Sequence, residues 1–303
     1  MQHCPNYLMH EDNYEKHAPR VSQVIAASTL RFGRCSRKSE NESDTDRVID
    51  SFEIFQKEQV EFMKRILLMV IKLLGHVPVW FWRICSFAKD TEEQRYSIEE
   101  KYNYIREIAI KANKAGRVTI VSSGEENLPE EDGYILYPDH QGMFDVLAFL
   151  ETMKRPFSLV FKQEVKDIIL LKQIREALHY IPMDRSDLKQ SMKVILEAAK
   201  RVKAGENFLI FAEGTRSRNG NEILPFKAGA FKAATKAKAP IVPVALLDSY
   251  APFDTNSTAP AKVQIHYLKP MYYEEYMDMK TTEIALEVEK RIREEIYKHM
   301  KAE

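Results

Sequence analysis

The chain has 303 residues, and its 45 lysines and arginines are balanced by 45 aspartates and glutamates, so the formal net charge is zero. A hydrophobic content of 45 % and a charged content of 30 % are those of an ordinary globular protein, long enough for one large domain or two smaller ones. The zero balance gives no sign of a nucleic-acid partner, and three cysteines (Cys4, Cys35, Cys85), with no C-x-x-C pair, make neither a disulfide framework nor a cysteine metal site.

Such cysteine usage fits a reducing compartment. No Cys follows Cys85, so a thiol nucleophile is excluded from the rest of the chain. Residues 1–62 are mostly polar, and SRKSENESDTDR at 36–47 reads as disordered linker. His3, Cys4 and His10 lie there, in a segment with little to fix a coordination geometry. The N-terminus lacks the apolar core of a cleavable signal peptide. This part is expected to be an extension.

Residues 63–116 form the next unit. MKRILLMVIKLLGHVPVWFWRICSFA is the most apolar stretch of the chain, interrupted by Lys72, His76 and Arg83 and broken by Pro78. No run reaches the roughly 18 apolar residues of a membrane span. Trp80, Phe81 and Trp82 beside Arg83 suit the headgroup level of a bilayer. The expectation is a helix lying in the membrane interface; the alternative is a core helix of a soluble protein. Ser97-Ile-Glu-Glu100 is a capping-box pattern, followed at helical spacing by Ile98, Tyr102, Ile105, Ala109 and Ala112, with Gly116 closing the helix.

From residue 117 to 303 short apolar runs recur: VTIVSS, YILYP, FSLVF, YIPMD, NFLIF, IVPVAL and KVQIHY. Helical patterns separate several of them, the clearest carrying Leu188, Met192, Ile195, Ala199 and Val202 on one face and stopping at Gly205. A charged amphipathic helix fills 281–300. Strands alternating with helices predict an α/β domain with a largely parallel sheet flanked by helices.

Ligands of such sheets bind beyond the carboxyl ends of strands, and the polar candidates sit there. His140 and Asp145 follow YILYP, Lys162 follows FSLVF, Arg185 follows YIPMD, and Glu213, Gly214, Thr215 and Arg216 follow NFLIF. On one helix, residues five apart are turned by about 140° and cannot meet. With His140 in a loop and Asp145 in the first helical turn, the carboxylate can hold one ring nitrogen and leave the other as a general base. The spacing alone also fits a capped helix beside a histidine. In FAEGTRSRNG, Gly214 allows close backbone approach, Thr215 and Ser217 are donors, and Arg216 and Arg218 can grip a phosphate in bidentate fashion. Glu213 would repel an anion, so it is expected to orient Arg216 or meet a ligand hydroxyl. Lys162, Arg185 and Lys227 each have an ordinary reading as solvated cations. No G-x-S-x-G, G-x-x-x-x-G-K-[ST] or G-x-G-x-x-G motif is present, which argues against a serine hydrolase, a P-loop NTPase and a dinucleotide enzyme.

His140-x4-Asp145, IPMDR at 181–185, EGTRS at 213–217 and APIVPVAL at 239–246 occur in the order of the glycerolipid acyltransferases. Over roughly residues 66–268 the chain resembles bacterial 1-acyl-sn-glycerol-3-phosphate acyltransferases. The resemblance implies an N-terminal helical motif seating the enzyme on the cytoplasmic face of a membrane. It implies that His140, held by Asp145, deprotonates the sn-2 hydroxyl of lysophosphatidate for attack on acyl-CoA or acyl carrier protein. Arg185, Glu213, Gly214 and Arg216 match the family's acceptor-phosphate positions, and no metal or other cofactor is called for. The chain departs from the family in having Asp139 for an Asn, His179 for a Gly and Ala212 for a Pro, and in lacking Ser within the H-x4-D. The alternatives are acylation of glycerol-3-phosphate or another lysophospholipid, and, in another class, a non-catalytic protein binding anionic lipid at the membrane surface.

Overall fold

In the computed structural model, which describes residues 64–90 and 95–301, all seven apolar runs enter one sheet. They form β1 (Val118–Ser123), β2 (Ile135–Pro138), β3 (Ser158–Lys162), β4 (Ile181–Met183), β5 (Phe208–Leu209), β6 (Ile241–Leu247) and β7 (Ala261–Tyr267). Their order is β1-β7-β6-β2-β5-β3-β4. The five strands from β6 to β4 are mutually parallel, β7 runs antiparallel to β6, and β1 is parallel to β7. The sheet is therefore mixed but mostly parallel, and the carboxyl ends of five strands share one rim. The expected extension of residues 1–62, with His3, Cys4, His10 and Cys35, lies outside the described residues.

Strands buried on both faces need apolar residues throughout, and β2 and β6 have every residue buried. One face packs on α6 (Leu188–Lys203), α7 (Lys232–Ala237) and, after the short α8 (Ala251–Asp254) and α9 (Tyr273–Tyr276), α10 (Thr281–Met300), around Ile135, Tyr137, Phe208, Phe231, Ala245 and Ile292. The other packs on α2 (Val77–Lys89), α3 (Ile98–Ala115), α4 (Asp145–Thr152) and α5 (Leu171–Ala177), around Tyr102, Leu136, Phe149, Val244 and Tyr267. The buried stripe of α6 is Val194, Ile195, Ala198, Ala199 and Val202, whereas Leu188 is 81 % exposed. Asp187 caps that helix through the Lys189 and Gln190 amides, so Leu188 is its first residue and lies too far out to reach the core. In α3 the capping box forms as the sequence indicates.

The apolar stretch after Met63 is two helices, α1 (Lys64–Leu73) and α2, bent by 98°. The break falls at 74–76, upstream of Pro78, which sits in the first turn of α2 where its missing N–H costs nothing. No single described helix is long and apolar enough to cross a membrane. Two cations of α1 anchor it. Buried Arg65 donates to the carbonyls of Pro252, Gly116, Ser257 and Ala259, and Lys72 donates to Ala115 O. Leu67 and Ile71 on α1, Leu74 in the break, and Val79 and Trp82 on α2 remain exposed.

Candidate active site

The loop after β2 is wrapped around one carboxylate. Asp145 opens α4 and is buried. Its Oδ2 accepts from Gln141 N at 2.9 Å and faces His140 Nδ1 at 2.8 Å. Its Oδ1 accepts from Gly142 N at 3.0 Å and from Ser249 Oγ at 2.6 Å. Five-residue spacing thus works because His140 precedes the helix and the chain folds back over Asp145. Gly142 is required for that turn, since a Cβ there would lie 2.7 Å from Asp254 Oδ2 and 3.0 Å from Tyr250 Cα.

With Nδ1–H donating to Asp145, the imidazole is fixed in one tautomer and Nε2 is the basic nitrogen. Phe211 stacks on the ring at 4.0 Å and limits its rotation. The backbone is held as well: His140 N donates to Glu213 Oε1 at 2.7 Å, and His140 O accepts from Ser217 N at 2.9 Å.

Glu213 corrects an expectation. Its two oxygens accept from the backbone amides of His140 and Leu224, and it does not orient Arg216. A buried carboxyl costs little when hydrogen-bonded, yet burial still pushes Glu213 up to about 7. Asp139 is also buried, and desolvation holds its carboxyl well above the usual range. It accepts from Leu246 N at 2.8 Å and so joins the histidine loop to β6. Gln141 completes the frame, donating to Leu246 O and Asn221 Oδ1 and accepting from Ser249 N.

Cations gather beside this frame. Gly214 has φ +75°, and its carbonyl accepts from Arg185 Nη1. A Cβ on Gly214 would lie 2.8 Å from Lys227 Nζ, so Arg185, Lys227 and the Gly214 backbone converge. Arg216 pairs with Asp254 at 3.3 Å, and Asp254 lies within the field of Arg218, Asp145 and His140. Thr215 is exposed on the same loop. Ser217 Oγ is buried with no protein partner, a donor or acceptor left over beside the His140 backbone. Lys162, at the carboxyl end of β3, pairs with Glu164 at 2.8 Å, both well exposed.

The sequence pattern missed Ser249, Gln141 and Asp254. Ser249 follows β6 at the same rim, so the strand-end rule that found His140 and Glu213 also points to it. Gln141 and Asp254 act through tertiary contacts that no short motif records.

A family model described as "Acyltransferase" matches residues 119–247. A 1-acyl-sn-glycerol-3-phosphate acyltransferase of Borreliella burgdorferi is 29 % identical over 132 residues, covering 44 % of this chain and 52 % of that protein. The 1-acyl-sn-glycerol-3-phosphate acyltransferase alpha of Mus musculus is 26 % identical over 176 residues, covering 57 % and 61 %. The matches thus span about half the length of these curated relatives. In fold, the chain matches the crystal structure of a 1-acyl-sn-glycerophosphate acyltransferase from Thermotoga maritima with a TM-score of 0.65 at 20 % identity, over 80 % of this chain and 98 % of that one.

Proposed function

We propose that this chain, whose residues 119–247 match a family model described as "Acyltransferase", transfers an acyl chain from a thioester to a lysophosphatidate hydroxyl. The donor is acyl-CoA or acyl carrier protein, the acceptor is 1-acyl-sn-glycerol-3-phosphate, and the product is phosphatidate. The observation that carries the reading is the 2.8 Å contact of His140 Nδ1 with buried Asp145.

Nε2 takes the proton of the sn-2 hydroxyl as the oxygen attacks the thioester carbonyl, while Asp145 stabilises the imidazolium that forms. Collapse of the tetrahedral intermediate breaks the C–S bond, and His140 returns the proton to the departing thiolate. The enzyme supplies no nucleophile, because the acceptor brings its own. Arg185, Lys227 and Arg216 suit an acceptor phosphate, with Ser217 Oγ and the Gly214 turn beside them. Anchoring the phosphate at one end makes the attack effectively intramolecular. Every group in this sequence belongs to the protein or the two substrates, so no metal or other cofactor enters it.

The exposed apolar residues of α1 and α2, with Ile168 and Ile169 before α5, favour a monotopic seat in one leaflet. That seat is assigned to the cytoplasmic side, in keeping with the free Cys85.

An acceptor panel tests the substrate. Purified protein in detergent, given acyl-CoA or acyl carrier protein, is supplied with lysophosphatidate, glycerol-3-phosphate and lysophosphatidylcholine. Preferred turnover of lysophosphatidate supports the reading. Preference for either of the others reassigns the acceptor, and lipid binding with no turnover of any of them favours the non-catalytic alternative.

A further inference from the structure

On the face of the sheet opposite the helices that carry the dyad, α10 brings two of its residues to the edge of β7. His266 of β7 is 4 % exposed, and its register partner on β1 is Ser123. Glu295 and His299 lie one turn apart on α10. One ligand atom from each of His266, Glu295 and His299 can be chosen so that all three lie within 4.8 Å of one another. We propose that His266, Glu295 and His299 form a structural binding site for a divalent transition metal of the zinc class, stapling α10 to the antiparallel edge of the sheet.

The ligand set is two imidazoles and a carboxylate, the donors that zinc takes at about 2.0–2.2 Å. The second observation is at His266. Its Nδ1 lies 2.7 Å from Ser123 Oγ, while its Nε2 is buried with no hydrogen-bond partner. Buried polar atoms nearly always find partners, so this orphan needs an explanation. With Nδ1–H donating to Ser123, Nε2 presents a lone pair to the cluster. A hydroxyl or carboxylate on the far nitrogen is how metal-ligating imidazoles are oriented.

The remaining partners can make room. His299 Nε2 now bonds Glu295 Oε1 at 2.9 Å, and the two imidazoles stack with centroids 3.9 Å apart. Stacked rings cannot both aim at an ion between their faces. Binding therefore tilts the more exposed His299 and replaces its bond to Glu295. Lys298 shares Glu295 at 3.0 Å, but its side chain is 69 % exposed and can swing into water. Glu295 and Lys298 also line an open cleft of ≈ 620 Å³. The site takes no part in the acyl transfer proposed above.

The test is metal binding by the full-length chain in detergent, stripped with chelator and titrated with Zn2+ and then Co2+. Wild type is expected to bind one more equivalent than His266→Ala or His299→Gln, and Zn2+ is expected to raise Tm in wild type alone. The Co2+ complex of that extra site should show visible d–d bands without thiolate charge transfer, which separates it from any site using Cys4 or Cys35. Ser123→Ala should weaken the site by about 10- to 100-fold. His299→Gln changes a partly exposed residue near a helix end, so it serves where His266→Ala does not fold. Equal stoichiometry in wild type and a folded His299→Gln variant, or no tight equivalent in wild type, overturns the proposal.

Discussion

Ser249 Oγ donates to Asp145 Oδ1 at 2.6 Å, while the other oxygen of the same carboxylate faces His140. The candidate base is thus the first of three linked groups, and the third comes from the end of β6, over 100 residues away in sequence. Ser249 fixes the carboxylate that fixes the imidazole. Ser249→Ala removes one charge-assisted hydrogen bond, worth about 1.5–3 kcal/mol. The expected result is a fall in kcat of about 10-fold or more with KM nearly unchanged, measured by thiol release from acyl-CoA. A change confined to KM would place Ser249 at the acceptor instead.

Asp139 stands where members of the family that the chain resembles often have Asn. Burial holds its carboxyl well above the usual range, which favours the protonated form, close in shape and polarity to an amide. Gln141 Nε2 donates to Asn221 Oδ1 and Leu246 O as well as to Asp139 Oδ2 at 3.1 Å, so losing the last of these still leaves it two acceptors. Asp139→Asn should therefore fold and keep acyl transfer within about threefold, the equivalent of well under 1.4 kcal/mol. A carboxyl raised by folding contributes stability that is complete below its unfolded pKa and is lost as pH rises through the folded one. The variant should accordingly gain on wild type in urea midpoint as pH increases. A variant that loses ground with pH would show that Asp139 is ionised in the folded protein.

Glu213 obeys the same sign with a defined window. Its ordinary value is 4.5, and burial pushes it up to about 7. The stability it contributes is full below pH 4.5 and falls away between 4.5 and about 7. In Glu213→Gln this part of the slope of urea midpoint against pH disappears. The amide offers one acceptor where two backbone N–H groups need one each, so the variant should also be less stable at low pH and slower in turnover. An unchanged slope would contradict the buried, proton-binding carboxyl.

His179 stands where the family has Gly, and its φ is +55°. The left-handed region costs a non-glycine residue about 1–2 kcal/mol, partly offset by the unfolded-state entropy of glycine. The side chain is exposed, while its carbonyl is the part held, by Arg201 Nη1 at 2.8 Å. His179→Gly is expected to raise stability by about 0.5–1 kcal/mol, read from chemical denaturation. A loss of stability would mean that the imidazole makes a contact outweighing the strain.

The strands were legible because a sheet buried on both faces must be written in unbroken apolar residues, as IVPVAL is. The dyad was legible because a strand-end loop confines His140 and Asp145 to one place. Glu213 was misread because charge alone suggests a ligand contact, whereas the partners that decide its role are the amides of His140 and Leu224, which no side-chain pattern records. Leu188 was assigned to the core by periodicity, but the cap at Asp187 puts it on the first, outermost turn. Lys72 read as an interruption of a membrane-facing stretch, because the carbonyl it holds, Ala115 O, lies 43 positions away.

The most direct measurement is acyl transfer by the purified protein, with acyl-CoA and lysophosphatidate, wild type beside His140→Ala. The account predicts phosphatidate and equimolar free thiol from wild type, and a fall of about 10²- to 10⁴-fold in the folded variant, the usual contribution of a general base. Turnover by His140→Ala at the wild-type rate would contradict it.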